Sequence, residues 1–195
     1  MKNKATEVFN RWAQNGKDEG MKKNHFDSYI HIKDIIKKEF QGAANIAVAD
    51  IGCGNGWATA DLLKESFISR SCGYDGAEKM IEKAQSSISG PSFFHSNLNN
   101  WRPDQKFDII YSMEVIYYLK NPQDFIQKCY KKWLNPNGLF IAGIDHYKEN
   151  KPSLSWSKDL NVLMQTNSIS DWKNALIHNN FSNCRVKQVN QKDTW

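Results

Sequence analysis

The stretch Val48-Ala49-Asp50-Ile51-Gly52-Cys53-Gly54-Asn55-Gly56-Trp57 carries the residue types best suited to holding a ligand. An apolar run leads into three glycines at alternate positions and then into a helical pattern. Glycines there let the backbone pass close to a ligand where a Cβ would collide. The turn also places N–H groups at a helix start, which favours a polar or anionic ligand group. Further polar residues recur at what read as later strand ends: Asp75, Asn97, Ser112-Met113-Glu114 and Asp145-His146-Tyr147. In open α/β sheets ligands sit beyond the carboxyl ends of the strands. Asp75 follows Gly56 by 19 residues, at the position where a carboxylate accepts ribose hydroxyls. An adenosine-containing cofactor is therefore expected.

The elements that must position these residues alternate along the chain. Ile46–Ile51 reads as a buried strand, followed by a helix from about Trp57 to Glu65. Arg70–Asp75 is a second strand, Ala77–Ser86 a helix with Met80, Ile81 and Ala84 inward, and Pro91–His95 a third strand. Lys106–Ser112 is a fourth. Asn121-Pro122 opens a helix to about Trp133, with proline in its first turn, and Leu139–Asp145 is a fifth strand. Apolar strands alternating with helices predict an α/β fold with a parallel sheet covered on both faces.

Two helices precede this core, one over residues 5–15 and one from His25 to Phe40, separated by the turn formers Asn15-Gly16-Lys17-Asp18-Glu19-Gly20. After Asp145 the pattern loosens into a polar connection with one short helix. Ser168-Ile169-Ser170-Asp171 is a capping box for a helix carrying Trp172, Ala175, Leu176 and Ile177. Phe181–Val189 reads as a last strand.

The bulk numbers set bounds. At 195 residues and 40% hydrophobic content, the chain suits one globular domain. No run reaches the roughly 18 apolar residues of a membrane helix, and the polar start lacks a signal-peptide core; a cytoplasmic location and no membrane partner are expected. Cys53, Cys72, Cys129 and Cys184 lie far apart without CxxC spacing, so no metal site or disulfide is expected. Cys53 reads as a small residue in a tightly packed turn, with no activating base nearby. The net charge of +5 comes from short lysine clusters spaced like solvated helix faces, so nucleic acid is not the expected partner.

The glycine spacing discriminates among cofactors. Dinucleotide sites use G-x-G-x-x-G; here the spacing is G-x-G-x-G, with Asp50 two residues ahead and Trp57 where the last glycine would fall. This acid-first pattern resembles the first motif of the class I S-adenosylmethionine-dependent methyltransferases. The resemblance extends to Asp75-Gly76 after the second strand and to Asn97-Leu98 after the third, where an acceptor would meet the adenine amino group and Leu98 its face. It extends also to the fourth strand with Ser112, Met113 and Glu114, and to Leu134-Asn135-Pro136-Asn137-Gly138 before the fifth. These matches cover about residues 46–145 in order.

The resemblance implies a Rossmann-like, doubly wound fold formed by residues 1–195 as one methyltransferase domain. Residues 1–42 would be an N-terminal helical lid, 46–145 the cofactor core, and 146–195 the substrate-side connection. It implies S-adenosyl-L-methionine as cofactor, held by Asp50, Gly52, Cys53, Gly54, Gly56, Asp75, Gly76, Asn97, Leu98, Ser112 and Met113. The family's sheet ends in a sixth and an antiparallel seventh strand. Only about six residues follow the sixth strand read here, so the seventh is expected to be missing or the sequence to stop short of it.

Methyl transfer from a sulfonium depends chiefly on alignment and desolvation, and a general base serves where the acceptor loses a proton. His146 and Glu114 are the candidates, and Tyr117, Tyr118 and Tyr147 are candidate pocket aromatics. Trp12, His25 and Tyr29 are candidate lid residues, with His25 expected at the surface and the other two in packing. A small-molecule methyl acceptor is expected. The alternatives are an RNA or protein methyltransferase, a non-catalytic cofactor-binding module, and a nicotinamide enzyme, the last disfavoured by the glycine spacing. The Asn/Asp-Pro-Pro-aromatic signature of base-amino methylation is absent after the fourth strand.

Overall fold

A computed structural model describes residues 2–189. Five parallel strands form one sheet in the order β3-β2-β1-β4-β5. They are β1 (Ile46–Ile51), β2 (Ile68–Asp75), β3 (Ser92–His95), β4 (Phe107–Met113) and β5 (Leu134–Gly143). The chain winds outward from β1 to β3, then returns to lay β4 against the other side of β1. The switch point therefore falls between β1 and β4, and every strand ends at the same edge. Asp50 pairs with Gly73 on one side and Tyr111 on the other, while Asp75 pairs with His95.

Two apolar layers sandwich the sheet. On one face Val48, Ile109 and Tyr111 meet α3 (Trp57–Leu62) and the 21-residue α2 (Glu19–Glu39), whose Tyr29, Ile32 and Ile36 are buried. On the other face Ala47, Ala49, Ile51 and Ile110 meet α5 (Pro122–Lys128), the π-helical turn Cys129–Trp133, and α7 (Ile169–His178). Alternation of β1 between the two layers, Val48 to one and Ala47, Ala49 and Ile51 to the other, is the period-2 pattern of a strand buried on both sides. At the amino-terminal edge the Asp108 carboxylate accepts from Ala47 N and Asn135 Nδ2, joining β1, β4 and the start of β5.

Several boundaries differ from expectation. α2 begins at Glu19, six residues before His25, because Asp18 starts the helix and Gly20 is absorbed into its first turn. Its inner face is core, so only α1 (Ala5–Gln14) and the α1–α2 turn behave as a cover over the rest. β2 begins at Ile68. β5 begins at Leu134 and passes through the Asn135–Gly138 turn with a shifted register, helped by a left-handed Asn137 at φ 62°. The capping box at Ser168 forms as read, the Ser168 hydroxyl accepting from Asp171 N and the Asp171 carboxylate from Ser168 N. The connection holds a 3₁₀ turn, Lys151–Ser155, and the short α6 (Trp156–Asp159). No sixth strand forms over 181–189: that segment crosses the molecule through side chains, Arg185 to Glu39 and Gln188 to Tyr147. The part of the expected seventh-strand region beyond residue 189 lies outside the described residues.

Candidate functional site

The carboxyl ends of β1, β2 and β3 bring the glycine turn, Asp75 and Asn97 together. The turn needs its glycines. Gly52, Gly54 and Gly56 all have positive φ, and a Cβ on Gly52 would lie 2.0 Å from Val115, one on Gly56 2.6 Å from the Phe93 ring. Gly73 is equally confined, by Phe93 and the Cys53 thiol. Cys53 is thus a packing residue, and burial pushes its thiol far up, away from thiolate chemistry.

Four amides of this turn, those of Gly52, Cys53, Gly54 and Gly56, are engaged within the chain. Gly52 N and Cys53 N both donate to the Tyr74 carbonyl, at 2.7 and 3.2 Å, and Gly56 N donates to Cys53 O. Gly54 N donates to Asp75 Oδ2 at 2.9 Å, while Ala77 N donates to Asp75 Oδ1 at 2.7 Å. The helix that follows, α3, has only six residues. The expected anion-receiving N–H groups are therefore a correction. This turn presents carboxylates instead.

Asp75 is clamped between the turn and the start of α4 (Glu78–Ser87), and burial raises its pKa against those amides. Asp50 lies beneath the turn, 2% exposed, its Oδ2 accepting from Thr59 Oγ1 at 2.6 Å. Burial, with repulsion from Asp75 added, pushes Asp50 up to about 7. Two buried acids beside one glycine turn, Asp50 raised in part by Asp75, are relieved by a cation. Such a donor set fits a cofactor bearing an ammonium and a sulfonium and a ribose for Asp75. It does not fit a pyrophosphate, which would meet two carboxylates and no free amide from those four.

The other predicted cofactor residues divide. Gly76 lines the end of β2, where a Cβ would strike Thr6 of α1 at 2.7 Å. Asn97 uses its Oδ1 to cap the 3₁₀ turn Leu98–Asn100 through Asn99 N. Leu98 is buried in the core. The Ser112 hydroxyl donates to the Ile51 carbonyl at 2.9 Å and is fully buried, so it fastens β4 to β1 at the switch point. Met113 is half-buried, its sulfur accepting from Tyr111 Oη.

Beyond β4 and β5 a second group assembles. Glu114 holds a left-handed backbone, φ 61°, with its N–H on Gly143 O. A non-glycine residue there costs about 1–2 kcal/mol, and such strain concentrates at functional sites. Its carboxyl accepts from Tyr117 Oη at 3.0 Å and from the Asp145 backbone, and burial beside Asp145 raises it well above the ordinary range. Asp145 is raised as well, chiefly by burial and against the pull of His25. His25 is half-buried and not the surface residue expected.

His146 is a further correction. Its ring is 1% exposed, Nδ1 lies 2.9 Å from the Ser153 carbonyl and Nε2 2.8 Å from Thr166 Oγ1. The carbonyl can only accept, so Nδ1 donates, Nε2 accepts from the threonine, and no ring nitrogen is left for a substrate. Burial also lowers its pKa.

The N-terminal segment closes over the cleft through contacts that no local pattern announced. Asp18, fully buried, accepts from Asn55 Nδ2 of the glycine turn at 2.8 Å and from Lys83 Nζ of α4 at 2.9 Å. Asn10 Oδ1 accepts from Lys79 N at the start of α4, and Phe9 packs edge-on against Tyr118. The only sequence signal was Asp18 itself, a helix-starting residue in a turn.

Comparison with known proteins agrees with this geometry. Residues 49–142 match the family described as methyltransferase domain. Trans-aconitate 2-methyltransferase of Escherichia coli is 28% identical over 118 residues, 60% of this chain and 43% of that protein, so the match spans under half the relative's length. A chain from the complex between the Haloferax volcanii Trm112 methyltransferase activator and a methyltransferase superposes with a TM-score of 0.80. It is 26% identical over 88% of this chain and 75% of that one. An S-adenosylmethionine-dependent methyltransferase from Mesorhizobium loti shares the fold at a TM-score of 0.62 and 20% identity, over 76% and 80% of the two chains. Residues 49–142 thus match a methyltransferase domain, and the strand order and fold are shared with an S-adenosylmethionine-dependent methyltransferase.

Proposed function

We propose that the chain moves a methyl group to a small-molecule acceptor, with Asp50, Asp75 and the Gly52–Gly56 turn holding the cofactor. The observation that carries the cofactor half is the pair of raised acids around a turn whose amides are already engaged. When bound, the cofactor supplies an activated, positively charged methyl donor. The chain's own part is to seat it, exclude water with Thr6, Phe9 and Met21, and hold the acceptor beyond β4 and β5. Met21 Cε sits 3.0 Å from where a Gly54 Cβ would lie. This cover narrows the cleft from above, which favours a small acceptor over a polymer. The name of the Escherichia coli relative, a methyltransferase of a small carboxylic acid, supports the same class.

A second reading, an RNA or protein acceptor met together with a partner protein, comes from the likeness to a chain of the Haloferax volcanii complex of a methyltransferase activator and a methyltransferase. Calorimetric titration with S-adenosylhomocysteine and with NAD tests the cofactor, and binding of NAD alone would overturn it. Labelled methyl transfer into a metabolite extract, with RNA and protein fractions counted separately, tests the acceptor. Label confined to a macromolecular fraction would favour the second reading.

A further inference from the structure

We infer that His25 of α2 and Asp145 at the end of β5 form a proton-accepting pair on the acceptor side of the cleft. It follows that the methylated atom is one that carries a proton, an amine nitrogen or a hydroxyl oxygen. The inference rests on the methyltransferase reading above and deepens it.

The placement follows from helix geometry. Ile32 of α2 lies against β5, its Cδ1 3.1 Å from where a Gly143 Cβ would be. His25 precedes Ile32 by seven residues, two turns, and so shares its face. Two turns of helix rise about 11 Å, which carries His25 past the end of β5, where Asp145 stands two residues after Gly143. Tyr29, one turn along the same face, is fully buried against Trp57 and Tyr111, so the face is fixed in rotation.

The competing groups are already engaged. Both nitrogens of His146 are bonded within the chain. Glu114 accepts from Tyr117 and from the Asp145 backbone. The His25 ring, half-buried, makes no hydrogen bond among the described residues and is influenced by the Asp145 charge. The Asp145 charge also reaches Glu114. On its own helix Glu19, Lys22, Lys23 and Asp27 are exposed, and the Tyr29 hydroxyl is tied to Asp61. Burial lowers the His25 pKa and Asp145 pulls it back, which keeps the ring neutral and able to take a proton near neutral pH.

In the step, the acceptor's lone pair forms a bond to the methyl carbon as the carbon–sulfur bond breaks, its electron pair passing to sulfur. The acceptor's proton passes to the free His25 nitrogen, and the resulting imidazolium is stabilised by the Asp145 carboxylate. His25 is the catalytic residue and Asp145 the positioning one. The pair is complete only while α2 is docked on β5.

Two measurements test this on the whole chain. Proton–carbon NMR of the histidine rings follows each pKa, with and without S-adenosylhomocysteine. The His25 signal is expected to titrate below its ordinary value of 6.5 and to fall further in Asp145→Asn; an unmoved titration would overturn the pairing. Initial rates with labelled S-adenosylmethionine and a panel of small amines and hydroxy compounds, across pH 5.5–8.5, form the other arm. His25→Asn, with His25→Gln as a second variant, is expected to lower kcat by about 10²–10⁴-fold and to remove the acid limb, at unchanged S-adenosylhomocysteine affinity. A retained acid limb would overturn the base. Label entering no member of the panel would overturn the proton-bearing acceptor. A wild-type chain that binds no S-adenosylhomocysteine sinks the methyltransferase reading itself.

Discussion

Replacing Asp50 by Asn isolates the cost of keeping an acid beneath the glycine turn. Asp50 is 2% exposed, bonded by Thr59, and raised to about 7 from an ordinary 3.8 by burial and by Asp75. A raised carboxyl pKa means that the folded chain prefers the protonated form. Its contribution to stability is therefore fully present below pH 3.8 and is lost as pH rises through about 7. A shift of about three units corresponds to roughly 4 kcal/mol between those limits. Between pH 5 and pH 8 the same two values give a loss of about 2.5 kcal/mol.

Asparagine fits the same space, accepts from Thr59 through its carbonyl oxygen, and does not titrate. The difference in unfolding free energy between Asp50→Asn and the parent should thus grow by about 2.5 kcal/mol in favour of the variant from pH 5 to pH 8. Urea unfolding at matched ionic strength measures it, because contributions common to both chains cancel. The variant should also bind S-adenosylhomocysteine more weakly, having lost the charge that an ammonium group relieves. A stability difference that stays flat with pH would refute the reasoning, since Asp50 would then be ionised at no cost.

Three further outcomes follow from the same contacts. Asp18→Ala removes a buried carboxylate that receives Asn55 and Lys83; Lys83 reaches water, so the expected loss, chiefly of the Asn55 partner, is about 1–3 kcal/mol. Amide exchange over α1 should speed up well before exchange in the sheet, and equal protection would count against a latch. His146→Leu leaves Ser153 O and Thr166 without their ring partner, an expected loss of about 2–4 kcal/mol in chemical denaturation. Its S-adenosylhomocysteine affinity should be kept, and a stable variant lacking only methyl transfer would restore His146 to catalysis. Gly56→Ala and Gly42→Ala have nearly equal φ, 83° and 80°, yet only the first would strike Phe93. Gly42→Ala should lower stability by about 1 kcal/mol and Gly56→Ala by 3 or more; matched losses would show that backbone conformation alone sets the cost.

The proposed cofactor half of the site is assembled from local sequence. Asp50, the three glycines and Asp75 lie within one strand-turn-helix-strand unit, and the period-2 burial of β1 follows directly from its apolar run. The turn's polarity was not legible, because whether Gly52, Cys53 and Gly54 offer free amides depends on Tyr74 O and the Asp75 carboxylate across β2. His146 carries the same lesson. A histidine after a strand end looks like a base, and only Ser153 and Thr166, 7 and 20 residues downstream, reveal that it ties the loop together. β5 was misplaced at its start because Pro136 and Gly138 ordinarily end a strand, while Asn137 in the left-handed region lets this one continue. The sixth strand failed for the converse reason: Phe181–Val189 has β-branched and aromatic residues, but it packs through the Phe181 ring on Tyr130 and Phe140 and reaches out through Arg185 and Gln188, without a backbone ladder.

The proposed acceptor half differs in kind. Its members, His25, Glu114, Tyr117 and Asp145, come from three separated stretches, and what brings them together is the docking of α2 on the outer strand of the sheet. Glu114 is held there by a strained backbone and a bond to Gly143, Asp145 by the run of β5, and His25 by Ile32 and Tyr29 packing below it. The Asp18 junction and the first turn of α2 touch the glycine turn, through Asn55 and Met21, and Thr6 of α1 lies against Gly76 at the end of β2, so one N-terminal segment meets the proposed donor half at its start and the proposed acceptor half nearly two turns into α2. A rigid link of that kind ties closure over the cofactor to assembly of the acceptor side. On the proposed reading the acceptor is selected by the register of α2 against β5, while the glycine motif bears only on the donor.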